Sequence, residues 1–297
     1  MNLPFGTAEH PITINLYALV KWLMNKIKRR TMCVKKVLQA IFGSPAVETP
    51  MAKVDARILT FGKNKYGGGS NLNGCVPDAN GMYADFGREF PMGDRRIFLD
   101  DQVTIANYTK YVSEAIATLD PGALVLVVAD SCFSESATKN NVGKYRVSRF
   151  LEPDLPYREI IRKRVLQRPD LNLVEISGSR ENETSADVYV NGQYQGALTY
   201  AFRKYFRADR SCREIFAGIS AILPGSISDQ HPQIHGTDER LDRKLNAGQL
   251  LIVHNSSHGS WDYDRNGDEA DGRDEGLYFD KFFPDDEMYE IYKNIPA

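Results

Sequence analysis

The chain has no cysteine pair at C-x-x-C spacing: its four cysteines, Cys33, Cys75, Cys132 and Cys212, are scattered over 297 residues. So few thiols cannot staple so long a chain, which excludes a disulfide framework and suits a reducing compartment. It has little net charge as well, -2 with 26% charged residues, so no global field draws it to nucleic acid or to a membrane. Nor does it open on a long apolar run. Lys21 and Lys26 interrupt residues 16–27 and no small-residue cleavage site follows, so neither a signal peptide nor a spanning helix is expected. These absences read as a soluble, cytoplasmic protein. Acid is missing locally too: between His10 and Val47 stand Lys21, Lys26, Lys28, Arg29, Arg30, Lys35 and Lys36 without one carboxylate. Residues 1–52 therefore read as a basic helical arm of one or two amphipathic helices. It is either packed through Leu19, Trp22 and Leu23 or offered to a membrane surface or a protein partner.

What remains, residues 53–297, is long enough for one α/β domain with a well-buried core. Strands are expected at 57–61 (RILTF), 96–99 (RIFL), 124–129 (LVLVVA), 173–176 and 249–254 (QLLIVH). Helices are expected at 79–90, 104–119, 197–206, 213–223 and 285–294, and residues 224–249 read as a long polar loop. Continuous apolar strands alternating with helices predict a mostly parallel central sheet with helices on both faces. In such sheets chemistry sits just beyond the carboxyl ends of the strands.

Two strand ends carry reactive side chains. Asp130-Ser131-Cys132 follows LVLVVA, and Asn255-Ser256-Ser257-His258-Gly259 follows QLLIVH. A thiol and an imidazole at neighbouring strand ends can serve as nucleophile and general base. Each alone has a blander reading, since lone cysteines and histidines are mostly structural.

Five stretches together resemble the metacaspases and related bacterial caspase-like peptidases. They are 58–79 (ILTFGKNKYGGGSNLNGCVPDA), 127–136 (VVADSCFSES), 176–187 (ISGSRENETSAD), 196–202 (GALTYAF) and 253–275 (VHNSSHGSWDYDRNGDEADGRDE). The resemblance covers roughly residues 57–297 and implies a caspase-like fold and a cysteine endopeptidase with Cys132 as nucleophile and His258 as base. It also implies an S1 pocket of Cys75, Asp78, Asp130 and Ser256 that takes a peptide or protein substrate with arginine or lysine at P1, and an oxyanion donor in the amide of Gly259. Two carboxylates in a partly desolvated pocket favour a cationic side chain and repel an acidic one. Asp130 would equally suit a strand-end hydrogen bond, and Asp78 a helix N-cap.

The order of the stretches departs from the family, in which the histidine strand comes first. Moving 242–297 between Leu119 and Gly122 restores it, so the sequence reads as circularly permuted, with 224–249 bridging the old termini. Phe133 and Glu135 also depart from the family near the nucleophile. Asp262, Asp264, Asn266 and Gly267 imitate an EF-hand start, but Arg273 stands where its closing glutamate belongs. The resemblance implies calcium ligands at Asp274, Asp285 and Asp286, with Lys139 in place of a fourth. No cofactor is therefore expected to be required, and calcium binding, where it occurs, to be weak. Two other readings compete: a papain-like peptidase or acyl transferase, in which the cysteine would open a helix, and a catalytically silent caspase-like scaffold that binds partners.

Overall fold

The computed structural model describes residues 2–5, 12–15, 54–67, 69–131, 146–149, 171–180, 185–225, 228, 230–263 and 273–297, with backbone alone at 2–5, 12–15, 146–148 and 273–274. Two compact units emerge, Met1–Ala52 and Lys53–Ala297. In the first, β1 (Asn2–Phe5) and β2 (Ile12–Asn15) pair antiparallel, Asn2 opposite Asn15 and Phe5 opposite Ile12. The arm expected to be helical thus carries strands over these residues. The alternating β-branched run Ile-Thr-Ile favours that pairing. The basic stretch of the arm, with its expected helices, lies outside the described residues.

The second unit runs β3 (Ala56–Gly62), α1 (Cys75–Glu89), β4 (Asp94–Leu99), α2 (Ile105–Ile116), β5 (Leu124–Asp130), β6 (Arg146–Ser148), β7 (Val174–Ser177), β8 (Ala186–Val190) and β9 (Gln193–Gly196). It continues through α3 (Ala197–Tyr205), α4 (Cys212–Ser220), β10 (Gln233–His235), α5 (Asp238–Asp242), β11 (Leu250–Ser256), β12 (His258–Tyr263), β13 (Arg273–Tyr278), β14 (Phe282–Pro284) and α6 (Asp285–Tyr292). Six strands form the central sheet in the order β10-β7-β5-β11-β3-β4, all parallel except the edge strand β10. The expected α/β class with a mostly parallel, helix-flanked sheet is what the structure has.

Strand alternation sorts this sheet into two cores. On β5, Leu124, Leu126 and Val128 point to one face, as do Leu250 and Ile252 of β11; there they meet Met82 and Phe86 of α1, Phe202 of α3 and Ile215 of α4. Val125 and Val127, with Leu251 and Val253, point to the other face. They pack with Tyr108, Val112 and Ile116 of α2 and with Met288, Ile291 and Tyr292 of α6. Parity then assigns Asp130 and Ser256, the last residues of β5 and β11, to the α1/α3 face. The two strands lie side by side and in parallel, with Leu250 opposite Leu124 and Ser256 opposite Asp130. That adjacency is the one expected for the strands bearing Cys132 and His258.

Several boundaries shift for local reasons. Helix α1 begins at Cys75 rather than at residue 79, because Pro77 falls in its first turn, where a missing N–H costs nothing. Its N-cap is Gly74, without a side-chain cap; Asn64 Oδ1 instead accepts from the Cys75 and Val76 amides at 2.9 and 3.2 Å. Residues 224–249 are not one loop: β10 pairs with β7, Ile234 opposite Ile176, and α5 follows. Beyond β11 the chain forms a separate three-stranded sheet, β12-β13-β14. Another, β6-β8-β9, closes through the hairpin turn Asn191-Gly192, whose φ values of 53° and 84° suit a type I′ turn. Among the described residues no helix is long and apolar enough to cross a membrane.

One carboxylate sits within the sheet itself. Glu175, opposite Val127 on β7, is buried, and burial raises its pKa to about 7. The folded state therefore holds a proton that the unfolded chain releases above about pH 4.3. Stability from this group is full at low pH and is lost as pH rises toward and past 7. Glu175→Gln should raise stability at pH 8 by on the order of 2–3 kcal/mol and leave it nearly unchanged at pH 4, as read from urea melts at the two pH values.

Candidate active site

At the carboxyl ends of β5 and β11 the structure gathers three carboxylates around one guanidinium. Asp78 comes from the first turn of α1, Asp130 from the end of β5 and Asp187 from the middle of β8. All three face Arg149, the residue after β6, and all four side chains are 0% exposed. Arg149 Nη2 lies 2.6 Å from Asp78 Oδ2 and 2.7 Å from Asp187 Oδ1, and Nη1 lies 3.3 Å from Asp130 Oδ1. Nε donates to Asp187 Oδ1 at 2.7 Å, and Nη1 donates to the Asp130 carbonyl and to Ser256 Oγ, each at 2.8 Å. Every guanidinium nitrogen is used, the planar multi-donor recognition that arginine supplies and lysine cannot.

The acids are held in place before any cation is counted. Asp78 accepts the Gly196 amide at 2.9 Å and the Ser256 hydroxyl at 2.8 Å. Asp130 Oδ2 accepts the Thr199 amide and hydroxyl, both at 2.8 Å, and Asp187 Oδ2 the Asn73 and Gly74 amides at 2.8 and 2.9 Å. Behind Thr199, the ring of His254 lies 3.1 Å from its Oγ1 and 3.1 Å from Thr60 Oγ1; burial, then Arg149, lowers its pKa to about 3, so it stays neutral. Burial pushes the Asp78 and Asp130 carboxyls up while Arg149 pulls them back. Three acids facing one cation leave the cluster short of positive charge, so the upward direction stands. The Cys75 thiol is buried and raised by that burial, an inert neighbour.

His258 lies beyond the end of β11. Its Nε2 is 2.7 Å from the Ser70 carbonyl, so that nitrogen carries the proton, and Nδ1 has no hydrogen-bond partner among the described residues. Tyr66 fixes the ring from the side, edge-on at 4.5 Å between centroids, and its hydroxyl accepts the His258 amide at 2.9 Å. Burial lowers the ring's pKa, which keeps Nδ1 a free base. The next amide, Gly259 N–H, donates to the carbonyl oxygen of Arg149 at 2.9 Å.

The structure thus brings together Asp78, Asp130 and Ser256 of the expected pocket, with Cys75 next to them and Gly259 and His258 on its rim. Asp78 is not an N-cap. Asp187 and Arg149 were not singled out from the sequence. An acid between inward-facing Ala186 and Val188 was the available sign for Asp187, whereas nothing local marks Arg149. Cys132 and Lys139 lie outside the described residues, and so does the side chain of Asp274. Asp285 and Asp286 stand in the first turn of α6. Among the described residues no three His, Cys, Asp or Glu side chains are grouped to hold a metal.

No family model matches the chain. A 70-residue stretch is 36% identical to Metacaspase-1 of Schizosaccharomyces pombe, covering 20% of this chain and 16% of that protein, so the match spans about a sixth of the curated relative. A solved protein of Geobacter sulfurreducens superposes with a TM-score of 0.44 at 13% identity, covering 66% of this chain and 99% of that one.

Two glycines let the backbone approach the cluster. A Cβ at Gly196 would collide with Asp130 Oδ2 and with Arg149 Nη1, and one at Gly74 would reach within 2.5 Å of Asp187 Oδ1. Gly196 has φ -67° and ψ 135°, which alanine adopts freely, so Gly196→Ala tests the steric term alone. It should cost about 1–3 kcal/mol in a thermal or urea melt by forcing the buried charges apart.

Proposed function

We propose that this chain is a caspase-like cysteine endopeptidase that cleaves after arginine or lysine, with Cys132 as nucleophile and His258 as general base. The observation that carries the reading is the seat of Arg149. A basic side chain of the chain itself lies in the pocket of Asp78, Asp130 and Ser256 while its own carbonyl accepts the Gly259 amide. A substrate arginine seated the same way puts its scissile carbonyl under that amide, where charge would develop on attack. The His258 ring lies beside it, close enough for the Arg149 backbone to favour its protonated form while Nε2 is held by Ser70. Cys132 is two residues past the end of β5, the strand hydrogen-bonded to the one that leads to His258.

In the proposed reaction, His258 Nδ1 takes the Cys132 proton as sulfur adds to the carbonyl, Gly259 N–H holds the oxyanion, and the imidazolium returns the proton to the leaving amine. The pocket fixes register: the N–H donors of arginine meet Asp78, Asp187, Ser256 Oγ and the Asp130 carbonyl, with the Asp130 carboxylate ion-paired beside them, whereas lysine offers a single point charge. The circularly permuted order belongs to the same reading. Its support is the position of β11, late in sequence, between β3 and β5, where a strand following α2 would ordinarily pack. Calcium at Asp274, Asp285 and Asp286 would be weak, with Lys139 in place of a fourth carboxylate.

A buried ion cluster that merely fastens residues 146–149 to the domain is the reading left to a silent scaffold. It gives a reason for the acids, but none for an imidazole held by its Nε2 and set against the backbone of Arg149. The papain-like alternative is less favoured because Cys132 comes two residues after the end of a buried parallel strand, β5.

Fluorogenic peptides differing only at P1 separate the readings. Arginine should be turned over, lysine about 10-fold or more slowly because charge-assisted hydrogen bonds are lost, and aspartate not at all. Cys132→Ala and His258→Ala should each abolish turnover, because the two act as one unit. The acid limb of kcat/KM should fall below pH 6.5, since the base is lost only as pH drops through the lowered pKa of His258. Preference for aspartate at P1, or full activity in Cys132→Ala, would overturn the proposal.

A further inference from the structure

On the α1/α3 face of β11, Leu250 and Ile252 pack among apolar side chains, and the next residue on that face, His254, sets a fully buried imidazole there. A phenylalanine would fill the same space without the cost of burying two ring nitrogens. Both nitrogens are spent on threonines. Nδ1 lies 3.1 Å from Oγ1 of Thr60, the residue opposite His254 on β3, and Nε2 lies 3.1 Å from Thr199 Oγ1 in the first turn of α3. Thr199 in turn meets Asp130 Oδ2 through its amide and its hydroxyl, both at 2.8 Å. Thr60, His254, Thr199 and Asp130 are all 0% exposed.

The direction of this row follows from counting its protons. The Thr199 hydroxyl has one proton, and the Asp130 carboxylate, closer than the ring and charged, takes it. Thr199 Oγ1 can then only accept from the ring, which puts the ring proton on Nε2 and leaves Nδ1 bare. Thr60 supplies the donor that a bare Nδ1 needs, since its other acceptor, the Ala79 carbonyl, is farther away at 3.4 Å. Burial, then the Arg149 and Arg203 guanidiniums, lower the ring's pKa to about 3, so it takes no second proton. Every donor thus points the same way, from Thr60 through His254 and Thr199 to Asp130, and hydrogen bonds aligned in this manner polarise one another. The other tautomer would turn a lone pair on Thr199 and draw its proton away from the acid.

We propose that His254 is a positioning residue of the acid pocket: with its proton on Nε2 it holds the Thr199 hydroxyl on Asp130 and so keeps that carboxylate charged for a basic side chain. The proposal rests on the pocket reading above and deepens it. Burial pushes the Asp130 carboxyl up, and the Thr199 amide and hydroxyl are, after Arg149, what offsets it. Among the described residues Asp130 Oδ1 has the Arg149 ion pair at 3.3 Å but no hydrogen bond, so Oδ2 and its two Thr199 donors carry that part of the task. Weakening one of those donors weakens the charge that the pocket shows to a guanidinium or ammonium.

The full chain is labelled with nitrogen-15 histidine in one sample and carboxyl carbon-13 aspartate in another, and magnetic resonance follows both with pH. His254 is assigned by its loss in His254→Gln, and Asp130 by its loss in Asp130→Asn. The His254 ring should show a protonated Nε2 and a bare Nδ1, unchanged between about pH 5 and pH 8. In His254→Phe the Asp130 carboxyl should titrate at higher pH than in wild type, and the KM of a P1-arginine reporter should rise about 5-fold with kcat within about 2-fold. His254→Gln, whose amide can accept from Thr60 and donate to Thr199, should restore both values, which a residue that only fills space would not do. Should His254→Phe not fold, Thr60→Val removes the donor to Nδ1 alone and gives the same two readings, with Thr60→Ser as its rescue. A ring protonated on Nδ1 or titrating in that window would overturn this proposal. So would an Asp130 titration or a reporter KM unmoved in the folded variants. A shifted Asp130 titration together with a wild type that hydrolyses no P1-arginine reporter would instead overturn the peptidase reading and leave the positioning of Asp130 standing.

Discussion

A guanidinium with no access to water has to recover its hydration from the protein, and Arg149 does so from three carboxylates, a hydroxyl and a carbonyl. The reverse demand is stronger. Two of the three negative charges have no cation of their own, so each acid relies on backbone amides: Gly196 on Asp78, Thr199 on Asp130, Asn73 and Gly74 on Asp187. Those amides come from the start of α3, the β9–α3 junction and the loop before α1. The pocket is thus a meeting point of element ends, and a buried cation is what makes their convergence tolerable. Removing the cation would leave buried charge that must take up protons or water, which makes the empty pocket a strong attractor for another guanidinium.

Placement of that meeting point follows from strand parity. Because β5 and β11 run parallel and in register, their last residues, Asp130 and Ser256, lie opposite one another, and both fall on the face covered by α1 and α3. A slip of one residue in either strand would move its polar end to the Tyr108 face, where Tyr108 and Tyr292 hydroxyls already satisfy each other at 2.5 Å. Ten apolar side chains of the two strands fix the register, and the register fixes the site.

The elements that could be read in advance were those whose signal is local and complete. The runs LVLVVA and QLLIVH need no partner to be recognised as buried strands, and both end within two residues of where they were expected. Asp78, Asp130, Ser256, His258 and Gly259 were legible because the words around them resemble a known family. β12, β13 and β14 were not: HGSWDY and RDEGLY carry too much polarity for a pattern of apolar spacing to reveal a strand. β8 and β9 carry a local sign in Asn191-Gly192 between VYV and QYQ, the pair that a two-residue hairpin turn requires. Arg149 could not be found at all by such means. Its meaning depends on acids 71 residues before it and 38 after it in sequence, brought together only once the sheet has formed.

His258 differs from the acid cluster in one respect that bears on its proposed role as base. His258 is oriented by a neutral carbonyl, that of Ser70, where a carboxylate would both fix the tautomer and stabilise a positive ring. Burial adds to this by lowering its pKa, so the ring rests uncharged. A base so disposed does not hold a preformed imidazolium beside a thiolate. In the proposed reaction it would accept a proton only when the thiol is committed to a carbonyl already placed under Gly259 N–H. Reactivity would then depend on occupancy of the acid pocket, since on that proposal the pocket is what places the carbonyl. On the proposed reading, thiol chemistry would be restrained until a basic side chain is seated, and the electrostatics of Asp78, Asp130 and Asp187 would enter the catalytic timing as well as recognition.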